Sequence, residues 1–320
     1  MKETEKIEIM HFDQEGYLED GKALYETGKK MTALADKVAD EGYDAVFLMG
    51  VGGTWDELMQ LEYLMNKFGD RDLEVYLIHA AEWNAMGHKR MTEKSVVLTA
   101  SESGTTPEVL EAVKKMKDMG VRVYAMTKPE GPIGQAVGAE NCVAWLLTMV
   151  RAAARRATTS PTASACACSI AAAASPSLTC LSSRPRTSGR TCSISASASS
   201  RAPRSSPRST PWPPTPCSSA PALWGETILF SMCILEEMQW KRTRYITSAD
   251  FFHGTLELVE PGVPVFLFMG EDENRKLDER VRAFLTRGVT GDTDINIIDT
   301  AEFAIRALTT SSASSSPRGF

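Results

Sequence analysis

The stretch AVFLMGVGGTWDELMQLEYLMNKF (45–68) decides the fold class. Its first six residues, AVFLMG (45–50), form an unbroken apolar run, as expected of a strand buried on both faces. The run enters the Gly-rich turn Gly50-Val51-Gly52-Gly53-Thr54, and roughly 54–68 then takes up helical spacing. Strand, tight turn and helix make the unit from which parallel α/β sheets are built.

The same alternation extends outward. EVYLIHA (74–80) and SVVLTA (95–100) read as further strands, the latter followed by a helix from about Thr106 to Met119. VRVYAMT (121–127) predicts a fourth strand and NCVAWLL (141–147) a fifth. Upstream, 17–42 shows helical spacing through Leu18, Leu24, Met31, Leu34 and Val38. Farther along, LWGETILFSMCILEEMQW (223–240) reads as one amphipathic helix, RYITS as a short strand and VPVFLFMG (263–270) as a strong buried one. ENRKLDERVRAFLTR (273–287) predicts a helix and DINIID (294–299) another strand. The expectation is an α/β protein with two units of parallel sheet flanked by helices, the second smaller and incomplete.

With 320 residues, 43% hydrophobic and 24% charged, the chain fits a soluble protein of two domains. No apolar run approaches the roughly 18–20 residues of a membrane span. The opening MKETEKIEIMHFDQEGY is polar and acidic, which argues against a secretory signal and for the cytoplasm. The averages hide a fault, however. From Asn141 to Gly225 there are 85 residues without one Asp, Glu or Lys, yet with nine Arg and six of the seven Cys. Outside it, 26 basic residues face 41 acidic ones, a charge of −15.

A disordered Ser/Pro/Arg linker is one reading of 151–222. A zinc or disulfide scaffold is another, opposed by the lack of any C-x-x-C pair or His there. Ala, Arg, Pro, Ser and Thr are also what a GC-rich coding sequence yields out of frame. That reading fits best, with compensating frame errors at about 145–150 and 220–223 and a further slip before the tail. The expected division is thus 1–150, a first α/β domain with its N-terminal helix; 151–222, assigned no functional residues; 223–308, the remainder of a second; and 309–320, an aberrant tail.

Two turns are built for an anion: Gly50–Thr54 and Ser101-Glu102-Ser103-Gly104-Thr105-Thr106-Pro107-Glu108, each where a strand meets a helix. Small residues let backbone N–H groups approach a phosphate, the helix N-terminus favours negative charge, and hydroxyls add donors. Neither G-x-G-x-x-G nor G-K-[ST] is present, so nucleotide binding is weakly supported. Each loop alone also reads as a helix cap. The second half offers Glu236, Glu237 and Asp250-Phe251-Phe252-His253-Gly254-Thr255-Leu256-Glu257. By spacing alone, a loop histidine among solvated carboxylates is the simpler reading. No metal-ligand spacing occurs, and the acidic chain lacks the basic, aromatic-interleaved pattern of a nucleic-acid binder.

S-x-S-G-x-T-x-E after a strand, in Ser101–Glu108, resembles the phosphate loop of the sugar isomerase (SIS) family, with Thr54 in the matching first loop. Glu237, followed sixteen residues later by His253 in an F-x-H-G-x-x-E stretch, resembles the second domain of double-SIS enzymes. SADFFHGTLELVEPGVPVFLFMGEDENR is similar to one branch, the fructoselysine and glucoselysine 6-phosphate deglycases. The resemblance covers roughly 1–145 and 223–305.

It implies two flavodoxin-like SIS domains and a phosphate held by Ser101, Ser103 and Thr106 with Thr54. It adds Gly52, Gly53 and Gly104 as pocket residues, with Glu102 lining the pocket through its backbone N–H. Glu237 is then the base that moves a proton between C1 and C2 of an open-chain sugar. His253 assists ring opening and reaches the partner subunit's site in a homodimer or higher oligomer. Asp250 and Glu257 either attract a substrate ammonium or fix their loop. The implied reaction converts a phosphorylated Amadori compound to a hexose 6-phosphate and a free amine, commonly lysine, by acid–base groups alone, with neither metal nor organic cofactor. Asp250 departs from the family's usual Glu, and Ile234 stands where glucosamine 6-phosphate synthase has Lys. A ketose/aldose isomerase and a non-catalytic sugar-phosphate-binding protein are the alternatives. The scrambled centre and unmatched tail predict a chain that folds poorly or is inactive.

Overall fold

The computed structural model describes residues 14–69, 73–143, 214–287 and 294–303. A long helix, α1 (Gln14–Glu41), leads into β1 (Ala45–Gly50), α2 (Gly53–Phe68), β2 (Glu74–His79), α3 (Ala80–Met86) and β3 (Val96–Ala100). Then come α4 (Pro107–Asp118), β4 (Arg122–Met126), α5 (Pro132–Val137) and β5 (Cys142–Val143). These five strands form one parallel sheet in the order β2-β1-β3-β4-β5. The boundaries expected for β1 to β4 hold to within a residue or so. The expected fifth strand is seen only at its start, since 144–147 lie outside the described residues.

Strand β1 shows why the sheet needs two covers. Ala45, Phe47 and Met49 face a core completed by Trp83 of α3, Val109, Val113 and Met116 of α4, and Ile133 and Val137 of α5. Val46 and Leu48 point the other way, onto Leu58, Leu61 and Met65 of α2. Beside them Met31 of α1 closes over Ala100, Met126 and Val143. A strand whose alternate residues are all apolar has no face to offer water, so helices lie on both sides.

The second unit comprises β6 (Thr215–Ser219), α6 (Trp224–Leu229), β7 (Thr243–Thr247), β8 (Val265–Met269), α7 (Arg275–Thr286) and β9 (Ile295–Asp299). Its sheet is parallel in the order β7-β6-β8-β9, repeating the first four places of the other sheet. Val265, Leu267 and Met269 pack on Val281 and Leu285 of α7; Cys217, Phe266 and Phe268 pack on Phe230 and Leu235.

Two expectations need correction. The second sheet does not begin after residue 222: β6, TPCSS, lies inside the segment assigned to an out-of-frame reading and is fully buried. Ser218 and Ser219 are tolerated there because the Ser218 hydroxyl bonds that of Ser248 at 3.1 Å and Ser219 accepts from Thr227 at 2.8 Å. Pro216 precedes the first β6–β8 pair, Cys217 with Phe266, so it interrupts no ladder on that side. Nor is 223–240 one regular helix. A 3-10 turn over Pro221–Leu223 leads into α6, which widens into a π-helix over Phe230–Met238. Residues 144–213 and 304–320 lie outside the described residues.

Candidate functional site

In a sheet of order 2-1-3-4-5 the crevice opens between β1 and β3, where the chain first crosses to the other side of its starting strand. Both anion-type turns leave from those two strands. They start side by side, with Met49 in register with Thr99, whose hydroxyl donates to the Met49 carbonyl at 2.9 Å.

The loop after β1 is wound tightly. A Cβ on Gly50 would stand 2.7 Å from the Trp55 nitrogen, and Gly52 holds a positive φ of 58° at the start of α2. The Thr54 hydroxyl donates to the Val51 carbonyl at 3.0 Å and accepts from the Val51 N–H at 3.2 Å, so it braces the loop from within.

The loop after β3 is pinned from below. Ser101, 3% exposed, accepts from the Gly104 N–H at 3.2 Å and bonds the Thr106 hydroxyl at 3.0 Å. Its carbonyl accepts from Thr127 at 2.8 Å. Gly104 has a φ of 70°, and a Cβ there would crowd the Thr127 hydroxyl at 3.1 Å. Ser103 is exposed, and its hydroxyl accepts from the Thr105 N–H and hydroxyl at 3.2 and 3.0 Å. Neither α2 nor α4 has a side-chain cap on its first turn, and Pro107 opens α4 without an N–H of its own. Uncapped N–H groups beside a nest of hydroxyls are the elements of a phosphate site.

The second unit docks on the first loop. Gly225, near the start of α6, lies so close that a Cβ would collide with the Asp56 carbonyl and come within 3.2 Å of Met59 Cβ. Cys233 Sγ stands 3.3 Å from the position of a Cβ on Gly53. Burial first, then the carboxylates of Asp56, Glu237 and Glu57, push the Cys233 thiol up to about 11. The π-helix thus sets Cys233, four residues before Glu237, against the β1 loop, and leaves the Glu237 side chain exposed. Its neighbour Glu236 is held away, accepting from the Thr243 hydroxyl at 2.5 Å.

Carboxylates gather at this junction. Asp56 is 1% exposed; burial, then Glu226, raises it to about 7. Glu57 is raised to about 8 by burial, then by Glu226, Glu102 and Asp56. Among the described residues no group of three His, Cys, Asp or Glu is arranged to hold a metal ion, and no helix is long and apolar enough to cross a membrane.

No family model matches the chain. It is 23% identical to the fructoselysine 6-phosphate deglycase of Escherichia coli (strain K12) over 287 residues, 85% of this chain and 78% of that protein. To the fructosamine deglycase FrlB of Bacillus subtilis (strain 168) it is 40% identical over 63 residues, a match spanning 20% of this chain and only 19% of that protein. Among solved structures, the tagatose-6-phosphate ketose/aldose isomerase of Escherichia coli superposes with a TM-score of 0.66 at 15% identity, covering 89% of this chain and 78% of that one. The C-terminal domain of glucosamine-fructose-6-phosphate aminotransferase from Francisella tularensis gives 0.62 at 13%, covering 97% and 94%. The chain has the phosphosugar-isomerase (SIS) fold.

Within the phosphosugar-isomerase fold the sequence-derived residues divide into two groups. Thr54, Ser101, Ser103 and Thr106, with Gly52, Gly53, Glu102 and Gly104, lie on the two loops at the crevice, and Cys233, on the helix that bears Glu237, packs against the first of them. His253 and Asp250 instead line an open pocket of about 470 Å³ with Arg244, Ile246, Gly254, Thr255 and Leu258, a lining that does not include Glu237. Phe251 anchors that loop, wholly buried against Phe284, and leaves His253 and Glu257 exposed. Asp250 accepts from the Thr247 hydroxyl at 3.3 Å, a local bond that steadies the turn.

Sequence reasoning missed Asp56, Glu57 and Glu226, because acids in a first helical turn read as ordinary partners of the helix dipole. It also missed Asp278, a fully buried carboxylate that accepts from the Ser248 hydroxyl at 2.6 Å and the Gly270 N–H at 3.3 Å. That residue ties the ends of β7 and β8 together.

Proposed function

We propose that this chain is a cytoplasmic deglycase of a phosphorylated Amadori compound, fructoselysine 6-phosphate or glucoselysine 6-phosphate. The observation that supports the reading is the packing of Cys233, four residues before Glu237 on the same helix, against Gly53 of the β1 loop, which lies beside the Ser101–Thr106 turn. A phosphate seated on the hydroxyls and uncapped amides holds one end of an open-chain sugar. A carboxylate within reach of the other end can then move a proton.

With fructoselysine 6-phosphate, Glu237 takes the proton from C1, the electron pair forms the C1–C2 double bond, and the C2=O π bond opens as its oxygen gains a proton, giving the enaminol. A proton delivered to C2 leaves the C1=N imine of glucose 6-phosphate. Water adds at C1, the C1–N bond breaks, and the amine departs with the proton it gains. General acid–base groups contribute about 10²–10⁴-fold in such steps. His253 opens the sugar ring. Its pocket is separate from Glu237, which supports a homodimer in which the histidine serves the partner's site. The deglycase names of the relatives favour this reading over a ketose/aldose isomerase, which shares the fold at 15% identity.

The test is amine release from fructoselysine 6-phosphate by the purified chain, beside Glu237→Gln and His253→Asn. The expected result is turnover that both substitutions reduce at least about 100-fold. Equal rates in all three proteins would overturn the assigned roles. Interconversion of ketose and aldose phosphates without amine release would establish the isomerase, and phosphate binding without turnover a sensor.

A further inference from the structure

The second unit is held on α2 at two places, and only one of them lies at the crevice. At its start α2 meets α6 and the π-helix, through the Asp56 carbonyl beside Gly225 and through Gly53 beside Cys233. Farther along, Tyr63 and Lys67, one turn apart on the same face of α2, are gripped by the loop that follows β8. The Tyr63 hydroxyl donates to Asp272 Oδ2, and the Lys67 ammonium donates to Glu273 at 2.5 Å and to the Tyr63 hydroxyl at 3.2 Å. At the usual rise per residue, they stand about 15 and 21 Å along the helix from Gly53.

The gripping loop is itself stiff. Asp272 accepts from the Asn274 N–H at 3.1 Å and from its side-chain amide at 3.2 Å. Arg275, paired with Asp299, donates to the Gly270 carbonyl at 2.8 Å. Gly270 lies against the 3-10 turn that opens α6, where a Cβ on it would touch Ala222 Cβ at 3.4 Å. A braced path therefore runs from Tyr63 through 270–274 and Ala222 into the helix that carries Cys233 and Glu237.

The ion pair adds little to stability, since the Glu273 side chain is 79% exposed. Its effect is geometric. With the Gly225 and Cys233 contacts alone, the second unit can pivot on the first turns of α2; a hold so far along the same helix removes that freedom. A misplacement of about 1 Å at a reacting group costs on the order of 10²-fold in rate. We propose that Tyr63 and Lys67, with Asp272 and Glu273, form a latch that sets the Glu237 helix in place against the β1 loop. These four touch no reacting atom and are positioning residues. The proposal rests on the deglycase reading for the role of Glu237, and on the contacts for the latch itself.

The experiment compares the full wild-type chain with Tyr63→Phe, Lys67→Glu, Glu273→Lys and the paired reversal Lys67→Glu/Glu273→Lys. Native-state labelling by N-ethylmaleimide, followed peptide by peptide by mass spectrometry, reports the seam between the units through Cys233. Cys217, wholly buried in the core of the second unit, reports unfolding. Loss of a charged hydrogen bond should speed Cys233 labelling about tenfold or more in the three single variants, with Cys217 at the wild-type rate. The paired reversal should bring Cys233 most of the way back. In amine release from fructoselysine 6-phosphate, the single variants should lose about tenfold or more in kcat with KM within about twofold, and the paired reversal should recover it. Unchanged Cys233 labelling in the single variants, faster labelling of Cys217 along with it, or no recovery in the paired reversal would overturn the latch. So would an unchanged kcat beside faster Cys233 labelling. Wild-type turnover with labelling and kcat unaltered in the variants sinks the latch and keeps the deglycase. Faster Cys233 labelling that the paired reversal restores, in a chain whose wild type releases no amine, keeps the latch and sinks the deglycase.

Discussion

Replacing Asp56 by Asn tests the electrostatics of the junction independently of any substrate. A carboxyl whose pKa climbs from 3.8 to about 7 on folding stays protonated in the native chain after it has ionised in the unfolded one. The native state then binds the extra proton, so stability falls as pH rises from about 4 towards 7. At about 1.4 kcal/mol per pH unit the full fall is roughly 4 kcal/mol, and partial access of water brings the expected loss to about 2–4 kcal/mol. Asn cannot ionise, so it removes this loss, and it also lifts one negative charge from Glu57. Any packing cost of the amide is the same at every pH and cancels in the comparison. Urea unfolding of both proteins at pH 5 and pH 8 supplies the numbers. Only the rise from pH 5 to about 7 falls inside this window, so the variant should gain about 1–3 kcal/mol on wild type between the two pH values. Parallel pH dependence in the two proteins, or a steeper loss in the variant, would contradict a raised Asp56 carboxyl in the folded chain.

Other expectations follow from single contacts. Gly225→Ala sets a helix-propensity gain of about 1 kcal/mol against overpacking of about 1–3 kcal/mol on the Asp56 backbone. A lowered Tm is expected, and an unchanged or raised one contradicts the helix contact. Ser101→Ala strands the Gly104 N–H at a cost of about 1–3 kcal/mol. Phosphate affinity, measured by calorimetry, should fall with it; full affinity would remove Ser101 from the site. Arg275 grips Asp299 with two bonds of 2.8 and 2.6 Å and holds that carboxyl below its usual range. This stabilisation is present above the ordinary carboxylate pKa and lost as pH falls through the lowered one. Arg275→Gln should therefore cost more stability at pH 7 than at pH 2.5 in urea unfolding, and equal costs would deny the ion pair that role.

The first sheet was legible because its strands are short, largely apolar runs, with β1 buried on both faces, so β1 to β4 could be read from the sequence. Strand β6 was not, since TPCSS owes its burial to hydroxyls whose partners, Ser248 and Thr227, are supplied by tertiary structure. The short helices α3 and α5 escaped for lack of two full turns of periodicity. The phosphate loop was legible as small residues and hydroxyls between strand and helix. The part played by Thr54 was not: a hydroxyl's partner is set by the winding of its loop, and here it is the Val51 backbone. Asp56 looked like any acid in a first helical turn until α6 was seen to cover it.

The most direct test of the central claim is a time course by NMR of the purified chain with fructoselysine 6-phosphate and with unphosphorylated fructoselysine. Glucose 6-phosphate and lysine are expected in equal amounts from the phosphorylated compound, with little from the other and loss of the reaction in Glu237→Gln. Equal turnover of both compounds, or full activity in Glu237→Gln, would contradict that claim.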